Sequence, residues 1–443
     1  GYMNSTIILK GNILYTPNPS ALVSIQQGYV IAVDGVVVHC GESIPTVYTE
    51  YDVVDYGDNL IIPGFVDTHA HAPQYCNRGL GMDKELLPWL ETYTFPEEAK
   101  FIDPDYARLV YGAFVHDLWR NGTTRSILFG TIHKDSTLVL MELLQKAGLS
   151  AYVGKVNMDR NSPEFLIEET NQSLADTKVW LDASAQFGPL VKPIITPRFV
   201  PSCTSELMTG LAKLAKEYDV PVQSHLSENH GEIDWVASLH PESSNYTDVY
   251  YEHHLMGTVP TVMAHCIHLS DVEMDRMAET QTMVSHCPYS NVNLSSGIAP
   301  IRKLIERNIP IGLGSDISGG HIVSMAKVLT EAIGLSKMKW VEVDKNYAPL
   351  TLSEAFYMAT KGGGQFFGHV GSFEKGYELD ALIIDDTSLF DPNERSLEER
   401  LERWLYVGDD RHIIERYVAG RVVPSSKRSE ERRVGKECSE PCR

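Results

Sequence analysis

The sequence predicts an α/β protein: a (β/α)8 TIM-type barrel carrying a small β-sandwich domain formed by both ends of the chain. Two observations carry this expectation. Eight apolar, strand-like runs recur through the middle of the 443-residue chain with amphipathic stretches between them, the alternation that builds a closed parallel sheet wrapped in helices. Short β-rich runs punctuated by Gly, Asn and Pro fill residues 5–62 and return near the C-terminus, as antiparallel hairpins do.

In chain order, Thr6-Ile7-Ile8-Leu9-Lys10, Gly28-Tyr29-Val30-Ile31-Ala32-Val33 and Gly35-Val36-Val37-Val38 read as strands. Asp380-Ala381-Leu382-Ile383-Ile384-Asp385 and the run 413–423 have the same character. Residues 1–62 and 376–424 are therefore expected to form one composite β-sandwich domain, and 63–375 the barrel. The barrel runs are 60–66, 126–129, 151–156, 194–199, 220–225, 261–265, 283–286 and 309–316, with helical segments such as 105–120 and 205–217 between them. A doubly wound open sheet is the competing arrangement, but no glycine-rich phosphate fingerprint follows any run. Residues 425–443 differ in kind. Lys427-Arg428-Ser429-Glu430-Glu431-Arg432-Arg433 is a dense charge run without apolar periodicity, expected to be disordered and foreign to the fold. Gly1-Tyr2 ahead of Met3 reads as an appended pair.

Composition narrows the class of function. Hydrophobic residues make up 43% and charged residues 22%, values of a globular protein. No window approaches the roughly 18 uninterrupted apolar residues of a membrane span, and the N-terminus lacks a basic-then-apolar secretory pattern. A formal net charge of −21 disfavours nucleic acid or an anionic membrane as partner, since both demand a basic patch; a neutral nucleobase is unaffected by it. The seven cysteines have no framework spacing, which suits reduced thiols in the cytoplasm.

The chemistry lies at the ends of the strand runs. Side chains two apart on a strand share a face, so His69 and His71 aim both imidazoles at one point beyond the first run. Alone, such a pair is equally compatible with a polar loop. However, run five ends on His225, run six on His265, run seven on His286 and run eight on Asp316, and barrel active sites are built at the C-terminal strand ends. His69, His71, His225 and Asp316 would offer three nitrogens and one carboxylate, with a position left for water as in catalytic zinc sites. A metal there makes hydroxide available near neutral pH, and Asp316 could also accept a proton from the water. Glu228, three residues after His225, stands where a proton shuttle would; its alternative is a first-turn glutamate favourable to a helix N-terminus. Two-metal barrels bridge their ions through a carbamylated lysine at the end of strand four, whereas Ile194-Ile195-Thr196-Pro197-Arg198-Phe199 offers Arg198. One metal is therefore expected. Arg198 becomes a fixed planar donor for a carbonyl oxygen or ring nitrogen, or else half of an ion pair with a nearby carboxylate.

These residues together resemble the amidohydrolase superfamily, and within it the members that deaminate guanine. The resemblance spans about residues 1–424 and rests on Pro63-Gly64-Phe65-Val66-Asp67-Thr68-His69-Ala70-His71-Ala72-Pro73-Gln74-Tyr75, Trp89-Leu90, Tyr93-Thr94-Phe95-Pro96 and Thr196-Pro197-Arg198-Phe199. It continues through Ser224-His225-Leu226-Ser227-Glu228-Asn229, Met263-Ala264-His265, His286-Cys287-Pro288 with Ser290-Asn291, and Gly312-Leu313-Gly314-Ser315-Asp316. It implies a hydrolase that converts guanine to xanthine and ammonia, with one zinc held by His69, His71, His225 and Asp316; the same ligand set accepts Fe2+. It also implies that Glu228 moves protons, that His265 holds the attacking water, and that Gln74, Arg198 and the Phe199 backbone bind the purine. Trp89 or Phe199 would cover its flat face, with His225, Glu228 and Asp316 at its reacting edge. His286 matches a family position outside the metal's ligands, and Ser315 and Ser318 read as small residues that tune affinity. A homodimer is implied as well. Another aminopurine, 8-oxoguanine, cytosine or a triazine is the competing substrate, and a barrel that has become an assembly scaffold is the competing role.

Overall fold

The computed structural model describes residues 5–425; the expectations for residues 426–443 and for Gly1-Tyr2 lie outside the described residues. Both ends of the described residues enter one seven-stranded sheet. Its strands, in spatial order, are Arg421–Val422, Ile413–Val418, Ala381–Ile384, Val53–Pro63, Thr6–Asn18, Ala21–Val33 and Val36–Gly41. This is the β-sandwich domain, with the N-terminal Val53–Pro63 paired antiparallel to the C-terminal Ala381–Ile384.

Residues alternate across a strand, and here both faces are buried. Leu60 and Ile62, with Leu382 and Ile384, face the barrel core. Ile61, with Ala381 and Ile383, faces a separate core that includes Leu9, Ile13, Val30, Phe373 and Tyr417. That explains the unbroken apolar runs in these segments: a strand covered on both sides needs no polar face. Arg125 on the barrel reaches the two Asp380 oxygens at 2.8 and 3.1 Å, a bidentate buried pair that ties the two parts together.

The run 60–66 is not one strand, contrary to expectation. Val53–Pro63 belongs to the sandwich and Phe65–His71 opens the barrel, with Gly64 between them. A Cβ at Gly64 would stand 2.2 Å from Thr124 Oγ1, so only glycine lets the chain pass this crossing.

Eight parallel strands follow around the barrel. Phe65–His71, Thr123–Phe129, Ser150–Gly154 and Val191–Pro193 form one arc; Val222–Leu226, Thr261–His265, Met283–His286 and Ile311–Leu313 form the other. A bridge between Ile195 and Val222 joins the arcs. The far seam closes where the Asp316 N–H donates to the His69 carbonyl at 2.8 Å and the His71 N–H to the Ile317 carbonyl at 2.9 Å. The expected strand 194–199 is fragmented. Regular pairing stops at Pro193, then Thr196–Pro197 pairs with Val156–Asn157, because Pro193 and Pro197 have no N–H to give a ladder. The run 309–316 likewise shortens to Ile311–Leu313, which frees Asp316 to turn into the barrel mouth.

The connecting helices follow from sequence signals. Pro104–Arg120 starts behind Asp103, whose carboxylate accepts the Asp105 N–H. Ser205–Tyr218 is capped by Thr204 and ended by Asp219 in the left-handed region, and it buries Leu207, Met208, Leu211, Leu214 and Ala215 on one stripe. Between the first barrel strand and Pro104–Arg120, residues 72–102 form an insert over the barrel mouth. Within it Leu86–Trp89 and Phe95–Ala99 flank a wider π-helical turn, Leu90–Thr94. The Phe95 N–H reaches back to Leu90 and Pro96 offers none, so the usual i→i−4 ladder is interrupted there.

Candidate active site

The C-terminal strand ends bring His69, His71, His225, His265 and Asp316 together, all buried. His69 Nε2 lies 3.0 Å and His71 Nε2 3.6 Å from Asp316 Oδ1. His265 Nε2 lies 3.4 Å from Asp316 Oδ2 and 3.2 Å from Glu228 Oε1. Backbone geometry helps to set these positions: Ser227, His265, Cys266 and Asp316 all have positive φ. Four non-glycine residues held there around one point mark a site whose surroundings enforce it.

Second contacts fix the rings. His225 Nδ1–H donates to the Arg198 carbonyl at 2.7 Å, and His265 Nδ1–H to Asn291 Oδ1 at 3.0 Å. Both rings therefore turn an Nε2 lone pair inward. Asp67 secures the seam beneath them, accepting from the His69 and Ser315 N–H groups at 3.1 and 3.0 Å and from Ser315 Oγ at 2.5 Å. Ser315 is thus part of the support, not of the pocket wall.

This donor set fits a divalent metal. Burial, then neighbouring histidines, holds His71 and His225 well below the ordinary imidazole range, so both are neutral. Yet His71 Nε2 and His225 Nε2 face each other at 3.2 Å, and the His69 and His265 Nε2 atoms are buried with no hydrogen-bond partner. Converging lone pairs repel, and a cation between them removes that cost. The Asp316 carboxyl oxygens face the His69, His71 and His265 Nε2 atoms at 3.0, 3.6 and 3.4 Å, which places an anionic ligand among the neutral imidazoles. His69, His71 and Asp316 form one compact group of potential ligand atoms, and His69, His225 and His265 another. His265 thus lies within reach of the same point as the four expected ligands. Among the described residues no lysine lines the cavity, and the buried Lys155, next after Ser150–Gly154, is paired with Glu168 at 2.8 Å.

A small cavity opens onto the cluster. His71, His225, Glu228 and Asp316 line one side; Gln74, Arg198 and Phe199 line another; Leu86, Trp89, Leu90 and Leu294 supply the apolar walls. Glu228 is buried, and its carboxyl is pushed well above the usual range by burial first, then by Asp316 and Glu232. Gln74 Oε1 accepts from the Ser318 N–H at 3.0 Å and from Ser318 Oγ at 3.3 Å, which leaves its NH2 as the free recognition group. His286 lies apart, behind the strands beside Ile301 and Ala332. Arg198 meets both of its alternatives at once: it lines the cavity and pairs with Glu98 Oε1 at 3.0 Å.

Several residues of the site carried no sequence argument. Glu98 stands 100 positions from Arg198, although it follows the Tyr93–Pro96 block directly. Glu232 accepts the Glu228 and Asn229 N–H groups at 2.9 and 3.0 Å, and its spacing after Asn229 is a capping-box signal that could have found it. Leu86, four residues before the Leu90 that the resemblance included, makes with it a helical apolar pair that could have been read as a wall.

The chain is similar to known proteins over most of its length. The sequence profile of the amidohydrolase family matches residues 60–423. Guanine deaminase of Dictyostelium discoideum is 46% identical over 379 residues, covering 84% of each chain. Guanine deaminase of Escherichia coli strain K12 is 37% identical over 416 residues, covering 91% of this chain and 92% of its own. The crystal structure of guanine deaminase from C. acetobutylicum with guanine bound in its active site superposes with a TM-score of 0.93 at 51% identity, covering 95% of this chain and 100% of that one. The chain is a member of the amidohydrolase family, and the relatives it groups with there are the guanine deaminases.

Proposed function

We propose that this protein is a guanine aminohydrolase, converting guanine and water to xanthine and ammonia. The observation that carries the reading is the shared cavity: a buried His/Asp cluster and Glu228 face the same space as Gln74, Arg198 and an aromatic wall. The relatives supply the substrate class, since the similar structure from C. acetobutylicum holds guanine.

Zinc, one per chain, is the metal we assign to His69, His71, His225 and Asp316; bound there it would lower the pKa of a water from about 16 toward 7. The protein's own groups do the rest. Gln74 NH2 and the guanidinium of Arg198 are donors, and guanine O6 and its ring nitrogens are acceptors. Trp89 and Phe199 suit the ring faces. Ionised Asp316 takes the proton that the attacking water sheds. Glu228, whose carboxyl burial, Asp316 and Glu232 push above the usual carboxylate range, delivers a proton to N3 as the bond to C2 forms. His265, whose Nε2 lies 3.2 Å from Glu228 Oε1, would hold the attacking water beside that carboxyl. The proton held by Asp316 passes to the exocyclic amine, the C2–NH2 bond breaks to release ammonia, and the C2 hydroxyl returns its proton to Glu228 as it becomes the 2-oxo group.

We further place the enzyme in the cytoplasm as a homodimer. The described cysteines are free thiols, and among the described residues no helix is long and apolar enough to cross a membrane. The composite domain 1–62 with 376–424, and the barrel 63–375, remain our division of the chain. The function is tested by incubating purified protein with guanine, 8-oxoguanine, 2-aminopurine and cytosine and measuring ammonia. Guanine is expected to be turned over fastest; no ammonia from guanine would overturn the reading.

A further inference from the structure

We propose that Glu98 is a positioning residue for recognition of the base: it holds the Arg198 guanidinium in place, so that the arginine and the cavity wall built by residues 86–99 act as one unit. The inference rests on the guanine reading above. Little else holds the Arg198 side chain. The Arg198 backbone is fixed, because its carbonyl accepts from His225 Nδ1 at 2.7 Å and from Ser224 Oγ at 3.1 Å. Its side chain, a flexible stem ending in five N–H donors, has one hydrogen-bonding partner among the described residues, Glu98 Oε1 at 3.0 Å from Nη1. The Phe95 ring lies 5.3 Å from the same guanidinium. Both restraints come from one short helix, Phe95–Ala99, which the π-helical turn joins directly to Leu86, Trp89 and Leu90 of the wall.

The environment makes this contact strong. The Arg198 and Glu98 side chains are 4% and 2% exposed, so their charge-assisted bond lies away from water. With one N–H edge committed to Glu98, the remaining donors are the ones available to an acceptor on the base. Glu98 also neutralises a buried cation that would otherwise stand beside the His/Asp cluster. Removing the carboxylate frees the guanidinium to swing, and a displacement of about 1 Å at a recognition group costs on the order of 10²-fold in turnover.

A double-mutant cycle on guanine kcat/KM tests this, with metal content and thermal midpoint measured on every variant. Glu98→Gln is expected to lower kcat/KM on the order of 10²-fold in the wild-type background, yet by less than about threefold in an Arg198→Ala background. Metal content should not change. Glu98→Asp keeps the charge but withdraws it by one methylene, and it carries the same cycle should Glu98→Gln fail to fold. Equal losses in both backgrounds would mean a general structural role and overturn the proposal, as would undiminished guanine turnover in Glu98→Gln. Absence of ammonia from the wild-type reaction would instead count against the functional reading, so the two failures are distinguishable.

Discussion

Replacing Arg198 by methionine removes one half of a buried ion pair whose atoms lie 3.0 Å apart. At an effective dielectric of 20, unit charges at that separation attract by roughly 5 kcal/mol. The variant does not lose that much, because the stranded Glu98 has a cheaper alternative: it takes up a proton. Keeping a carboxyl of ordinary pKa about 4.3 neutral costs about 4 kcal/mol at pH 7 and about 1 kcal/mol at pH 5. Even beside Arg198, burial holds the Glu98 carboxyl above the usual range, so these figures are upper bounds on the added cost. The sign follows directly. In the variant the folded pKa of Glu98 stands further above its unfolded value, folding takes up a proton, and stability falls as pH rises from about 4 toward 7. Urea denaturation of wild type, Arg198→Met and Arg198→Met with Glu98→Gln at both pH values reads this out. The single variant should be weakened by up to about 4 kcal/mol at pH 7 and by about 1 kcal/mol at pH 5, and the double variant should lose most of that pH dependence. A deficit equal at the two pH values, or a double variant no more stable than the single one at pH 7, would refute the reasoning.

Other groups make separate predictions. Glu228→Gln should bind metal normally and lose about 10²–10⁴-fold in turnover; near-normal ammonia release would remove Glu228 from proton transfer. His286 is pushed down to about 3 by burial and by His265. The unfolded chain therefore binds a proton that the folded one refuses, and stability falls as pH drops below about 6.5. His286→Asn should flatten the stability difference between pH 8 and pH 5 by about 2 kcal/mol, measured by denaturant titration; an unchanged slope would contradict the assigned burial. Gln74→Ala removes a recognition amide and strands the Ser318 N–H that it accepts, so guanine KM should rise about tenfold with metal content intact. A wild-type KM would show that Gln74 does not touch the base.

What was legible in the sequence was whatever depends on local period and on residue type at strand ends. His69 and His71 two apart, and His225, His265 and Asp316 closing later runs, were readable because a barrel places strand ends at one mouth. Thr261–His265 and Met283–His286 have the extents their apolar runs suggested. Leu60–Val66 misled because its two halves are buried for different reasons, one between sandwich and barrel and the other inside the barrel, and apolarity alone cannot mark the break at Gly64. The run 194–199 misled because two prolines interrupt a ladder that its apolar character suggests. Glu98 and Asn291 were out of reach as partners of Arg198 and His265, because those pairings join segments the chain brings together only when the barrel closes. Ser318, likewise, looked like a small residue near the site, whereas its backbone orients Gln74.

The most direct test of the account is ammonia release from guanine by the purified protein, with metal counted on the same sample. The account predicts one zinc per chain, xanthine and ammonia in equal amounts, loss of activity on chelation, and its return with one equivalent of zinc. Turnover that persists in the chelated, metal-free protein, or a metal-loaded protein that releases no ammonia from guanine, would contradict it.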